Sequence, residues 1–219
     1  MTAYDGIERR GFLARAAAGL AALGALPGTA SASRSTPGAA VQGGWDMSWL
    51  DGLTGKHKQV FDLRDPHALR VIRNWLDAHE SVYGLKPPQI NAVIGIAREA
   101  FTVNASDALY RAFPLGELWK VTDPETGKPA LRNLYLEGGK TPQEQASMVR
   151  PLQARRVIFW QCNNALHGIA AMIGESVKRP EPEVYAELKA GLNPGVVVVP
   201  AHTMLLGLCQ ERGCSYEAL

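Results

Sequence analysis

The chain lacks the residue patterns of the common metal and nucleotide sites. No Cys-x-x-Cys and no His-x-x-x-His occurs, which removes a zinc ribbon, a thioredoxin-like dithiol and a helix-borne metal pair. G-x-G-x-x-G, G-x-x-x-x-G-K and G-x-S-x-G are also missing, so there is no dinucleotide fingerprint, P-loop or nucleophile elbow. Nothing in the residues asks for a cofactor or a metal. An excess of one charge is absent as well: 23 Lys and Arg stand against 21 Asp and Glu. That balance gives no electrostatic reason to expect nucleic acid or an anionic membrane as a partner. Beyond the first residues no apolar stretch approaches the length of a bilayer span.

What is present begins with an export signal. Glu8-Arg9-Arg10-Gly11-Phe12-Leu13 sets two arginines before an Ala/Leu/Gly run, and Ala30-Ser31-Ala32 supplies a small-x-small cleavage site. The arginine pair and the diluted hydrophobicity resemble a twin-arginine signal over residues 1–32; an amphipathic helix retained in the mature chain is the competing reading. That route carries folded proteins, so the expected product folds before crossing into the periplasm or another extracytoplasmic space. Residues 33–44, rich in Ser, Gly, Ala and Pro without a period, read as a linker, and 45–219 as one domain. Trp45 and Trp49 in its lead-in are expected to pack on the domain or on a neighbouring subunit.

The pattern in that domain alternates. Strands are predicted at Lys58–Leu63, Ile90–Ala97, Val157–Gln161 and the four valines Val196–Val199, the last giving the strongest buried-strand signal. Helices are predicted from Pro66 (capped by Asp65) to Gly84, through Ala112, over Pro142–Gln153 behind Thr141, over Asn164–Gly174, over Pro182–Ala190, and from His202 to Arg212. Residues 114–140 are the least regular. The alternation argues for a three-layer α/β/α fold around a mostly parallel sheet of about five strands.

Chemistry concentrates at Cys162. The run Val157-Ile158-Phe159-Trp160-Gln161 ends on this cysteine, and a helix follows, with Asn163 or Asn164 as its expected cap. A thiol between the carboxyl end of a strand and the amino end of a helix lies where open α/β sheets bind ligands and where a thiolate is stabilised. Free cysteine is equally a small core residue. His202, after the valine strand, belongs at the same rim as a base or cationic neighbour; Asn104 and Arg98, after the second strand, join the candidate ligand contacts. His167 is not ideally placed beside Cys162, and His57 precedes the first strand at the opposite end. Cys209, among Leu205, Leu206 and Leu208, reads as core, while a turn of the chain can bring it to Cys214. Three cysteines leave an odd thiol in an exported protein.

Cys162 with its following Asn-Asn-Ala165-Leu166-x-x-Ile169 helix, then Pro194-Gly195-Val196-Val197-Val198-Val199-Pro200, then Leu205-x-x-Leu208-x-Gln210-Glu211-x-Gly213-Cys214-Ser215-Tyr216, together resemble the DsrE/DsrF family of small α/β proteins tied to sulfur oxidation and sulfur relay. The likeness runs from about Lys58 to Tyr216. It implies a DsrE-like, flavodoxin-like sheet, a closing helix and edge strand, a persulfide-accepting cysteine at Cys162, small sulfur compounds or other sulfur-handling proteins as partners, and a homo-oligomer, trimeric or hexameric. The alternative on the same fold is a non-catalytic module that binds a small ligand or serves only in assembly.

Overall fold

Five short extended runs pair into one sheet: β1 (His57–Leu63), β2 (Ile90–Ile96), β3 (Ile158–Cys162), β4 (Val196–Val199) and β5 (Ser215–Ala218). Their order is β4-β3-β2-β1-β5, and every neighbouring pair is parallel. The computed structural model describes residues 44–219; the signal at 1–32 and all of the linker but Gly44 lie outside the described residues.

Register sorts the strand side chains into two faces. Phe61, Ile94, Phe159 and Val196 are lateral neighbours and meet Leu69, Ile72 and Leu76 of α1 (Leu69–Tyr83) in one core. On the other face Val60, Val93 and Trp160 pack with Val199 and with Leu50 and Leu53 of the lead-in. Helices cover both faces, as a parallel sheet requires, and the architecture is three-layer α/β/α. Asp65 accepts a hydrogen bond from His67 N–H ahead of α1, and Gly84, at φ 68°, ends that helix in the left-handed conformation.

The connection from β2 to β3 carries α2 (Phe101–Asn104), α3 (Asp107–Ala112), α4 (Leu115–Leu118), α5 (Pro142–Ala146) and α6 (Val149–Ala154). The single helix expected over Pro142–Gln153 is thus two. Inside a continuous helix Pro151 would clash with the carbonyl of Ser147 and leave it without a donor; restarting at Val149 moves Pro151 into a first turn, where it is tolerated. Thr141 caps α5 in a capping box with Glu144. Between β3 and β4 run α7 (Asn163–Val177) and α8 (Glu181–Ala190), and between β4 and β5 runs α9 (His202–Glu211). Leu166, Ile169 and Ile173 of α7 with Val184 and Leu188 of α8 build a further core against Phe101, Tyr110 and Leu115. Leu205 and Cys209 of α9 join the face that holds Trp160.

The four valines are an edge strand rather than a buried one. Val196, Val197 and Val198 are half-buried and only Val199 is buried, because β4 has a hydrogen-bonding neighbour on one side alone.

One glycine shapes the face under α9. Gly95 lies between Asp62 and Trp160 in the lateral row. A Cβ there would stand 2.4 Å from the Trp160 ring and 2.9 Å from the His202 ring, so both aromatic rings lie across the bare backbone of β2. Gly95→Ala is expected to cost about 1–3 kcal/mol through overpacking. Gly168→Ala in α7, where a Cβ meets nothing within 4 Å, is expected to gain about 0.5–1 kcal/mol from lowered chain entropy. Urea denaturation of the two variants checks the opposite signs.

Candidate functional site

The sheet's direction of winding reverses at one place. The helices after β3 lead outward to β4, whereas α9 leads from β4 back across the sheet to β5. Right-handed crossovers put those connections on opposite faces, so the carboxyl ends of β3 and β4, where they part, are the switch point at which open sheets of this kind bind ligands. Cys162 ends β3 there, opposite Val199 in register.

The sulfur of Cys162 is the meeting point of two helix starts. Ala165 N–H of α7 donates to Sγ at 3.4 Å, and His202 N–H of α9 donates to it at 3.2 Å. Cys162 is therefore itself the cap of α7, in place of the expected Asn163 or Asn164. The reason is register: the strand runs one residue further than predicted, so the helix begins at Asn163. Asn163 Oδ1 accepts the Tyr185 hydroxyl at 2.6 Å, and Asn164 is exposed. The thiol is 4 % exposed.

His202 is held from both sides. The Trp160 indole N–H donates to its Nδ1 at 3.1 Å, and its Nε2 lies 2.9 Å from Asp62 Oδ1. Since Nδ1 accepts, Nε2 carries the proton given to the carboxylate. Both ring nitrogens are thus engaged elsewhere, and His202 addresses Cys162 through its backbone N–H rather than as the base expected from sequence. Asp62 also accepts from Arg64 at 2.9 Å and from the Tyr216 hydroxyl at 3.0 Å. Burial pushes the Asp62 carboxyl up, but hydrogen bonds from Arg64, His202 and Tyr216 outweigh it and hold the group below its ordinary value of 3.8. The same bond to Asp62 raises the Tyr216 phenol.

A cleft of about 600 Å³ opens beside this chain of contacts. Asp62, Arg64, Glu99, His202, Thr203 and Tyr216 give it polar groups of both signs, with Ala97 and Leu206 as its apolar part. Cys162 sits behind His202 and does not line it.

The other candidates do not line the cleft. Asn104 is fully buried, and its amide nitrogen bonds the Trp160 carbonyl and Gln161 Oε1, both at 3.1 Å. Its Oδ1 has no partner among the described residues. Arg98 is exposed, its guanidinium 3.8 Å from the Met172 sulfur. His167 stacks on Tyr185 and bonds Glu181. His57 is the first residue of β1 rather than preceding it, and packs against His79. Trp49 packs on Trp160, with ring centroids 5.9 Å apart. Sequence reasoning missed Asp62, Gly95, Trp160 and Tyr216. The available signals were a carboxylate inside the strand run Val-Phe-Asp-Leu and a glycine inside Val-Ile-Gly-Ile. Among the described residues no group of three or more His, Cys, Asp or Glu is placed to hold a metal ion, and no helix is long and apolar enough to cross a membrane.

These features define an α/β protein with a buried cysteine at the switch point of a parallel sheet. No protein-family model matches the chain, and no curated protein matches it. A protein of unknown function, MTH1491 from Methanobacterium thermoautotrophicum, is similar in structure over 74 % of this chain and 99 % of its own, at 14 % identity and a TM-score of 0.38. That likeness carries no argument about activity.

A carboxyl held below its ordinary value stabilises the fold above the unfolded-state value and loses that contribution as pH falls through the folded-state value. Asp62→Asn is therefore expected to be less stable than wild type near neutrality, with the difference shrinking below pH 3.8. Urea midpoints measured across pH check this; a difference constant with pH contradicts it.

Proposed function

We propose that this chain accepts and hands on sulfur at Cys162. The observation that carries the reading is the convergence of two backbone N–H donors, from Ala165 and His202, on one sulfur at the starts of α7 and α9. A thiolate on that sulfur meets both donors at the positive ends of two helices. In the reaction the Cys162 thiolate attacks the sulfane sulfur of a persulfide or polysulfide donor. A new S–S bond forms to Cys162, the donor's S–S bond breaks, and the rest of the donor leaves as a thiolate from a persulfide or as a polysulfide one sulfur shorter. The resemblance to the DsrE/DsrF family supports the same chemistry and a homo-oligomeric assembly. Arg9-Arg10 and Ala30-Ser31-Ala32 support an exported mature form beginning at Ser33.

The 4 % exposure of Cys162 favours a second reading. In it the sulfur only ties β3 to the start of α9, and the protein is a non-catalytic module that holds a small polar ligand in the cleft beside Asp62 and Arg64.

Incubation of the purified protein with polysulfide separates the two. The sulfur-carrier reading expects a gain of one sulfur mass on the peptide containing Cys162, lost in Cys162→Ser while circular dichroism is unchanged. Absence of any adduct in the folded wild type leaves the ligand module standing. An adduct confined to Cys214 contradicts the assignment to Cys162.

A further inference from the structure

The other two cysteines are brought together by the way α9 ends. Cys214 N–H donates to the Cys209 carbonyl at 3.0 Å, and Gly213 N–H to the Gln210 carbonyl at 2.8 Å. These paired six-to-one and five-to-two bonds, with Gly213 at φ 81°, form a Schellman motif. In that motif the side chains three residues before the cap and two after it frequently meet across the turn, and those two positions are Cys209 and Cys214, which share one core cluster. Both thiols are free and buried, at 0 % and 6 % exposure, in the same core cluster as Trp160 and Val60.

Their surroundings make the two sulfurs unequal. The Cys209 thiol is raised by its hydrogen bond to Cys214 and by burial. Cys214 is lowered by the hydrogen bond from Cys209, and the charges of Lys58 and Arg212 act in the same direction. Lys58 Nζ lies 3.6 Å from the Cβ position of the adjoining Gly213. Cys214 is also the more exposed of the two.

We infer that Cys209 and Cys214 form a redox-convertible dithiol, separate from Cys162, that closes to an intrachain disulfide by exchange with a disulfide oxidant. Cys214 is the attacking thiolate. It bonds to one sulfur of the oxidant R–S–S–R, whose S–S bond breaks and releases one thiolate. Cys209 then gives up its proton and attacks the Cys214 sulfur, forming the Cys209–Cys214 bond and expelling the second thiolate. Two electrons pass from the dithiol to the oxidant, and the two thiol protons end on two molecules of R–SH. The product staples the end of α9 to the start of β5.

Oxidised glutathione is the probe. The full chain is incubated with it, unfolded, alkylated with N-ethylmaleimide and digested with trypsin. Cleavage after Arg212 separates the two cysteines, so closure leaves one linked pair of peptides, two hydrogen masses lighter than their sum, and one maleimide on Cys162. Cys214→Ser is expected to give no linked pair, and Cys209→Ser is expected to stop at a glutathione adduct on Cys214. Three maleimides in the treated wild type, a glutathione adduct on wild-type Cys214 without closure, or a link that involves Cys162 each overturns the inference. The wild-type peptide map decides even if a serine variant fails to fold.

Discussion

The arrangement of the site depends on one chain of hydrogen bonds: Trp160 to His202 to Asp62, laid across the bare backbone of Gly95. Three strands contribute to it in one lateral row, Asp62 from β1, Gly95 from β2 and Trp160 from β3. The imidazole bridges the gap that the missing side chain leaves. Because His202 is the first residue of α9, fixing its ring fixes where that helix begins. The backbone N–H of the same residue then reaches the Cys162 sulfur. A polar chain buried on a sheet face is costly unless every member finds a partner. Here the carboxylate has three donors, the imidazole one donor and one acceptor, and the indole N–H its acceptor.

Topology supplies the rest. A sheet wound in one direction throughout would have left α9 on the same side as α7, and the thiol would have had a single helix start beside it. The return of α9 beneath the opposite face to reach β5 brings a second helix start to the end of β3. The same return places Cys209 and Cys214 against Trp160 and Val60, so the dithiol and Cys162 lie on one layer of the molecule, at opposite ends of α9.

Much of this was legible in the order of the residues, for physical reasons. Strands covered on both faces are apolar nearly throughout, so β2 and β3 stood out, and with β3 the position of Cys162 at a strand end; β1 showed only through Val60, Phe61 and Leu63 ahead of Arg64-Asp65-Pro66. Asp65 before Pro66 marked the tight turn Pro66–Ala68 that leads into α1, and Gly84 after Tyr83 marked the end of α1, because turn chemistry is local. The relations across the sheet were not legible. A strand's edge or central place depends on its neighbours, which is why four valines read as buried. The role of His202 depends on what faces each ring nitrogen, and Trp160 and Asp62 are 42 and 140 residues away in sequence. Gly95 gave a local sign, a glycine within an apolar strand, which indicates close approach by another group; which group approaches is a matter of register. The caps expected at Asn163 and Asn164 failed by one residue at a strand end, the scale on which such boundaries shift.

The central claim is that His202 is clamped between an indole donor and a carboxylate acceptor, so that its main chain serves Cys162. Long-range proton–nitrogen correlation of the imidazole rings reads this directly. Neutral His202 is expected to carry its proton on Nε2, with Nδ1 unprotonated and accepting from Trp160. A proton on Nδ1, or rapid averaging between the two nitrogens, would contradict it.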